Sequence, residues 1–206
     1  MSARNGFIVI SNLGRIAMSS TGSVSVLVRA EQRTLTQMLW IALFAVATAV
    51  GARVEVPHEP VPYTLQTLFV LLSGAFLGAR NGALSQLLYL AVGVLGVPVF
   101  SMGGFGLARL LGPTGGYLLA FPMAAALVGY LIQFRRTLLW SLVSMAAGLL
   151  IIFTCVTVQL YSVVFRNWDS AFNAGFLIFS WWDVLKLFAA AMTYHEIAKR
   201  WAKVPR

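Results

Sequence analysis

Six long apolar stretches recur along the chain, at about 35–52, 64–78, 83–95, 117–133, 138–165 and 171–198, and charged residues sit mainly between them. No other feature limits the fold as strongly. A bilayer core is crossed by roughly 20 helical residues. A chain of 206 residues holds six such spans with short connections and little else. Hydrophobic residues make up 59% of the chain and charged residues 10%, against about 25% charged in soluble domains. A soluble domain of this size has too little interior to hide so much apolar surface. The expected fold class is therefore an all-α integral membrane protein, a six-helix transmembrane bundle. Cys155 is the one cysteine, so no intramolecular disulfide forms. The phosphate-binding loop of an ATP-hydrolysing module, Gly-x-x-x-x-Gly-Lys-Ser/Thr, does not occur.

The net charge of +9 does not indicate nucleic acid, because the basic residues flank apolar segments instead of forming one patch. With the N-terminus assigned to the cytoplasm, the inner segments hold Arg4, Arg15, Arg29, Arg33, Arg80, Arg135, Arg136, Lys199, Arg200, Lys203 and Arg206. The outer loops hold only Arg53, Arg109 and Arg166. This asymmetry predicts cytoplasmic N- and C-termini. Residues 1–34 read as a cytoplasmic N-terminal extension, with Met18 as an alternative start. The run from Phe7 to Ile10 is too short for a signal-peptide core. Residues 35–206 form the membrane domain.

Complexity is concentrated on the outer side. Pro57, Pro60 and Pro62 force an extended path through loop 1. In loop 3, Gly103, Gly104 and Gly106 surround Phe105, and glycine allows a backbone to approach a small molecule closely. Asp183 and Lys186 break the last apolar stretch and share one helix face. Each charge costs about 2.5–3.5 kcal/mol at mid-membrane on insertion scales. They predict a polar ligand site, the alternatives being a self-neutralising structural pair or a lysine snorkelling to the interface. Ser180-Trp181-Trp182-Asp183 fits a capping box. The last helix is thus expected to start near Ser180 and run inward to about Lys199. Residues 172–179 are expected to be non-helical or a short lid.

Gln66 and Tyr89 are polar groups in apolar spans, placed either to face a ligand or to bond a neighbouring helix. The Ala45-x-x-x-Ala49, Ala47-x-x-x-Gly51 and Gly74-x-x-x-Gly78 spacings allow close helix approach, within the chain or to another membrane subunit. His58 and Arg109 read first as loop residues. His195-Glu196 lacks the second histidine of a zinc motif. No metal and no catalytic group is expected.

Several motifs then occur in order: Val61-Pro62-Tyr63-Thr64-Leu65-Gln66-Thr67, Leu71-Leu72-Ser73-Gly74-Ala75-Phe76-Leu77-Gly78, Leu88-Tyr89-Leu90, Gly96-Val97-Pro98-Val99-Phe100, Leu111-Gly112-Pro113-Thr114-Gly115-Gly116-Tyr117 and Asp183-x-x-Lys186. Together they resemble the BioY family, the biotin-specific S components of energy-coupling factor (ECF) transporters. The resemblance runs from about residue 35 to 199. Trp182 stands where the family pattern has glycine before the aspartate.

The resemblance implies a non-enzymatic protein of the cytoplasmic (inner) membrane that holds biotin near the outer face, under loops 1, 3 and 5. It implies a transmembrane coupling (T) component and ABC-type ATPase subunits as partners, with ATP used only by the latter, and no cofactor. Small residues on span 1 dock the coupling protein in this superfamily, which fits Ala45 and Ala49. Biotin presents two ureido N–H donors, a carbonyl and a carboxylate tail. Asp183 is suited to accept from the N–H groups, and Lys186 to serve the carbonyl or the tail. Gln66, Tyr89, Gly103, Gly104 and Phe105 complete the expected site. An S component for another vitamin, a membrane assembly subunit and an intramembrane enzyme are the competing readings.

Overall fold

The computed structural model describes residues 34–57, 61–135, 137–177 and 181–200. His58, Ser180 and the cap assigned to Ser180, the charged side chain of Arg136, and the segments 1–33 and 201–206 lie outside the described residues. The chain divides into two units at Leu39 and Trp40. The described part of the first is the opening turns of helix α1, and the second carries everything below.

Helix α1 spans Thr34–Arg53. A two-stranded antiparallel ribbon follows, with β1 (Glu55–Val56) paired to β2 (Tyr63–Thr64) in the register Glu55↔Thr64 and Val56↔Tyr63. The remaining helices are α2 (Gln66–Val94), α3 (Leu107–Leu111), α4 (Gly115–Leu131), α5 (Leu138–Leu160), α6 (Trp168–Phe172) and α7 (Trp181–Arg200). A 3-10 turn occupies Ser101–Gly103, and π turns occupy Tyr161–Phe165 and Asn173–Leu177. Among the described residues, three helices are long and apolar enough to cross a membrane: Thr34–Arg53, Gln66–Val94 and Leu138–Phe165. The bent pair Trp168–Leu177 and Trp182–Arg200 gives a fourth candidate.

The second and third apolar stretches form α2, which is two arms and not one rod. Gly78 has φ 78° and ψ 179° inside it, a conformation open to glycine because it lacks Cβ. Gln66 and Tyr89 hydrogen-bond across the element. In a straight helix a rise of about 1.5 Å per residue would hold them far apart. The chain therefore reverses, and arm 66–77 lies against arm 79–94. Contact is so close that a Cβ on Gly82 would stand 2.8 Å from the Gly74 Cα.

Other small residues serve the same close packing. A Cβ on Gly116 would lie 2.6 Å from the Val156 Cα, so α4 rests directly on α5. One on Gly74 would strike the Ala125 carbonyl of α4. The Gly74-x-x-x-Gly78 spacing is thus used within the chain. Ala45 and Ala49, the residues expected at a partner interface, also pack within the chain. Ala45 is 6% exposed and belongs to the core, and Ala49 is half-buried against it. The exposed face of α1 carries Leu43, Val46 and Val50.

The core is built from Val70, Leu71, Tyr89, Phe121, Val128, Met145, Leu149, Ile152, Phe153 and their neighbours. Large apolar side chains cover the outside as well: Leu139 and Val143 on α5, and Leu185, Phe188 and Met192 on α7. Helices apolar on both faces belong in hydrocarbon. A polar cluster lies between α1 and the two arms of α2. The Gln86 carboxamide is fully buried among the hydroxyls of Thr48, Ser73 and Ser85, at 3.1–3.3 Å.

The segment expected to be non-helical or a short lid, 172–179, is helical as far as it is described. The Asn167 side chain accepts from the Asp169 N–H at 2.8 Å and starts α6. The Asn173 amide donates to the Asp169 carbonyl at 2.7 Å. Gly175 then sits flush on α5, where a Cβ would meet Thr157 at 2.6 Å. These side-chain caps and the close seat on α5 override the weak helical pattern of the segment.

Candidate functional site

The beginnings of α2, α4 and α7 meet β2 and loop 3 around a cavity. Its wall includes Tyr63, Thr64, Gln66, Thr67, Ser101, Thr114, Tyr117, Phe121, Asp183 and Lys186.

Asp183 and Lys186 are the charged groups of the wall. Their i, i+3 spacing on α7 brings Lys186 Nζ to 2.5 Å from Asp183 Oδ1, and each residue is 5% exposed. A buried ion pair repays its desolvation only where further hydrogen bonds satisfy it. The backbone supplies one, because Lys186 Nζ donates to the Thr64 carbonyl at 3.0 Å. That carbonyl is available because Thr64 is in the extended ribbon, not in a helix that would use it.

A hydrogen-bonded relay runs from this ribbon to loop 3. The Thr64 hydroxyl donates to Gln66 Oε1 at 2.9 Å, Gln66 Nε2 donates to the Tyr89 hydroxyl at 2.5 Å, and that hydroxyl donates to the Val99 carbonyl at 3.1 Å. Gln66 lies in the wall. Tyr89 is 1% exposed and sits one layer behind it, edge-on to Phe100 with ring centroids 5.5 Å apart. Phe100 fills the hollow left by Gly93. Loop 3 is stapled from its other side as well. Arg53 donates to the Pro98 carbonyl, and Glu55 Oε2 accepts from the Met102 N–H at 2.8 Å.

The glycine-rich part of loop 3 lies outside the wall. Phe105 is 58% exposed. Gly104 packs on the Arg109 side chain, and Gly103 (φ 66°) on Arg53. The cause is the Ser101–Gly103 turn, in which Met102 adopts φ 55°. It turns Ser101, 8% exposed, toward the cavity and carries residues 103–105 away. Of the expected site residues, the wall therefore unites Asp183, Lys186 and Gln66. Tyr89 supports it from behind, and Gly103, Gly104 and Phe105 do not line it.

Sequence reasoning missed Thr64, Thr67, Ser101, Thr114, Tyr117 and Phe121. A signal was present at two of these places. Thr64, Gln66 and Thr67 crowd polar side chains into a strand-to-helix junction, and Thr114 and Tyr117 repeat at i, i+3 on the start of α4. The aromatic wall suits a flat apolar ring. Burial and the nearby Asp183 carboxylate both push the Tyr63 phenol above its ordinary pKa, so it stays a hydroxyl at neutral pH. One shielded hydroxyl, Thr67 Oγ1, has no hydrogen-bond partner among the described residues.

The BioY family model matches residues 18–203, nearly the whole chain. The chain belongs to the BioY family. The match begins upstream of residue 35, so it takes in part of the segment read as an extension. Among similar BioY proteins, a probable biotin transporter from Lysinibacillus sphaericus is 38% identical, with 85% of this chain and 91% of that protein covered. A biotin transporter from Thermotoga maritima is 37% identical, over 80% of this chain and 97% of its own length. A probable biotin transporter from Pyrococcus horikoshii is 41% identical, over 74% and 90%. The crystal structure of the S component for biotin from an ECF-type ABC transporter shares the fold, with a TM-score of 0.76 at 21% identity over 82% of this chain and 93% of that one. Apolar helices and family membership together make this a multi-pass membrane protein.

Proposed function

We propose that this BioY chain captures biotin and serves as the substrate-binding S component of an ECF-type transporter in the cytoplasmic membrane. One observation carries the reading: an acid–ammonium pair, 5% exposed on each side, in the wall of a small-molecule cavity within an apolar helix bundle. The cost of burying charge in a membrane marks such residues as functional. Asp183 accepts from the ureido N–H groups, and Lys186 donates to the ureido carbonyl or the carboxylate tail. Tyr117 and Phe121 cover the apolar rings.

Counting the two arms of α2 separately, with α1, α4, α5 and α7, the chain crosses the membrane six times. The arginine distribution supports cytoplasmic termini and an outward cavity. A transmembrane coupling component and ABC-type ATPases energise release to the inside, and this chain performs no chemistry of its own. Since Ala45 is covered, a coupling component meeting α1 meets Leu43, Val46 and Val50.

The test is equilibrium binding of radiolabelled biotin to the purified full chain in detergent, with thiamine and riboflavin as competitors. Saturable one-site binding that neither competitor displaces is the expected result. A folded sample that binds no biotin would overturn the proposal.

A further inference from the structure

We propose that the Thr67 hydroxyl contacts the head group of the captured molecule, a contact that neither the motif pattern nor the charged pair discloses. The inference deepens the biotin-capture reading and rests on it.

The other shielded helix hydroxyls show what is unusual here. Ser141, Ser144 and Thr157 each donate back to the carbonyl four residues earlier on their own helix, at 2.8–3.1 Å. Ser73 and Ser85 each donate to the carbonyl three residues earlier, both at 2.7 Å. Thr67 is in the first turn of α2, so these carbonyls belong to Tyr63 and Thr64, in the extended β2 strand. The Thr64 carbonyl accepts from Lys186 Nζ. The Thr67 hydroxyl has no such bond, although the residue is only 3% exposed. A buried hydroxyl without a partner destabilises the empty protein.

Thr67 lines the same cavity as Asp183 and Lys186. The carboxylate only accepts and the ammonium only donates, whereas a hydroxyl does both. The three groups together fit a head group with a carbonyl beside N–H donors, which is the pattern of a cyclic urea. The absent local bond is the feature that leaves the hydroxyl available to it.

The test compares Thr67→Val, which keeps the branched shape without the hydroxyl, and Thr67→Ser, which keeps the hydroxyl, with the parent chain in detergent. Biotin affinity and the unfolding temperature of the biotin-free protein are measured on each. Thr67→Val is expected to bind biotin about tenfold more weakly, the scale of one lost hydrogen bond. Its unfolding temperature should equal or exceed the parent's, because the unpartnered hydroxyl is gone. Thr67→Ser should bind within about threefold of the parent, since the bond is retained. The preference of the parent for biotin over 2-iminobiotin, in which an imine nitrogen replaces the urea oxygen and the head group becomes a cationic guanidinium at neutral pH, should shrink in Thr67→Val.

Parent-like affinity in Thr67→Val overturns the contact while leaving biotin capture standing. A lowered unfolding temperature with an unchanged biotin-to-iminobiotin preference also overturns it, by assigning Thr67 a packing role. Should Thr67→Val not fold, Thr67→Ala removes the hydroxyl without the branch and is judged on the same preference, and failure of both to fold counts against the contact. Absence of biotin binding by the folded parent defeats the capture reading itself, and this inference with it.

Discussion

Gln86 and Lys186 are both buried polar side chains in a bundle that is apolar within and without, yet their surroundings differ. Gln86 is enclosed by three hydroxyls from α1 and both arms of α2, and does not line the cavity. Lys186 is tied to Asp183 and to a strand carbonyl, and both charged residues face a cavity whose wall also holds the Thr67 hydroxyl, which has no partner among the described residues. The first cluster satisfies itself and joins helices. The second sets the Thr67 hydroxyl beside a cavity with no partner among the described residues. Burial of a polar group therefore does not by itself mark a ligand site. A site combines burial with a cavity and with valences that the protein leaves open.

The largest effect expected from this contrast follows removal of one charge. Lys186→Ala takes the ammonium away from the buried Asp183 carboxylate, which costs about 3–5 kcal/mol of stability by analogy with other broken buried pairs. Biotin binding should fall by roughly 100-fold or more, the scale seen when one member of a buried interfacial pair is truncated. The double variant Asp183→Asn with Lys186→Met should recover much of the unfolding temperature and none of the affinity. Recovery of both would show the pair to be structural, like Gln86.

A smaller effect is expected at the self-satisfied cluster. Gln86→Leu should lower stability by about 1–3 kcal/mol, because it strips partners from buried hydroxyls. Thermal unfolding in detergent reads this directly. Biotin affinity should move less than about twofold, since no hydrogen bond at the cavity changes. Equal losses of affinity in Gln86→Leu and Lys186→Ala would erase the distinction drawn between the two clusters.

The smallest effect tests how the cavity is kept closed. Glu55 holds the Met102 N–H from an exposed position, and exposed charged contacts contribute about 0.2–1 kcal/mol. Glu55→Ala should speed biotin release by roughly two- to fivefold and leave the association rate unchanged. Glu55→Gln keeps the acceptor and should restore slow release. Rapid-mixing displacement of labelled biotin separates the two rates. A change in association alone would mean that loop 3 controls entry and not retention.

Much was legible before the fold was known, and each success has a physical basis. Apolar composition beyond what a small interior can hide fixes the membrane class. Spacing along one helix fixes which of its residues are neighbours, so Asp183 and Lys186 could be paired from sequence. The limits of helix α5, with its π turn, follow closely the apolar stretch 138–165. Gln66 and Tyr89 were correctly singled out as polar groups in apolar spans, but which of them faces the cavity was not decidable, because that depends on how the second arm of α2 folds back. Residues 172–177 misled because a side-chain cap and a glycine seat on α5 outweigh their own propensities.

What the sequence by itself determined is the membrane class, the charge asymmetry, the family resemblance and the acid–ammonium pair, all properties of composition or of spacing within one segment. Only the tertiary structure decided the rest. It buried Ala45 inside the chain, turned Ser101 toward the cavity and Phe105 away, and brought Thr67, Thr114 and Tyr117 around the charged pair. Those outcomes depend on which faces of distant helices meet. In an all-apolar bundle hydropathy does not distinguish a face that meets lipid from one that meets another helix, so close packing at Gly74, Gly82 and Gly116 makes that choice.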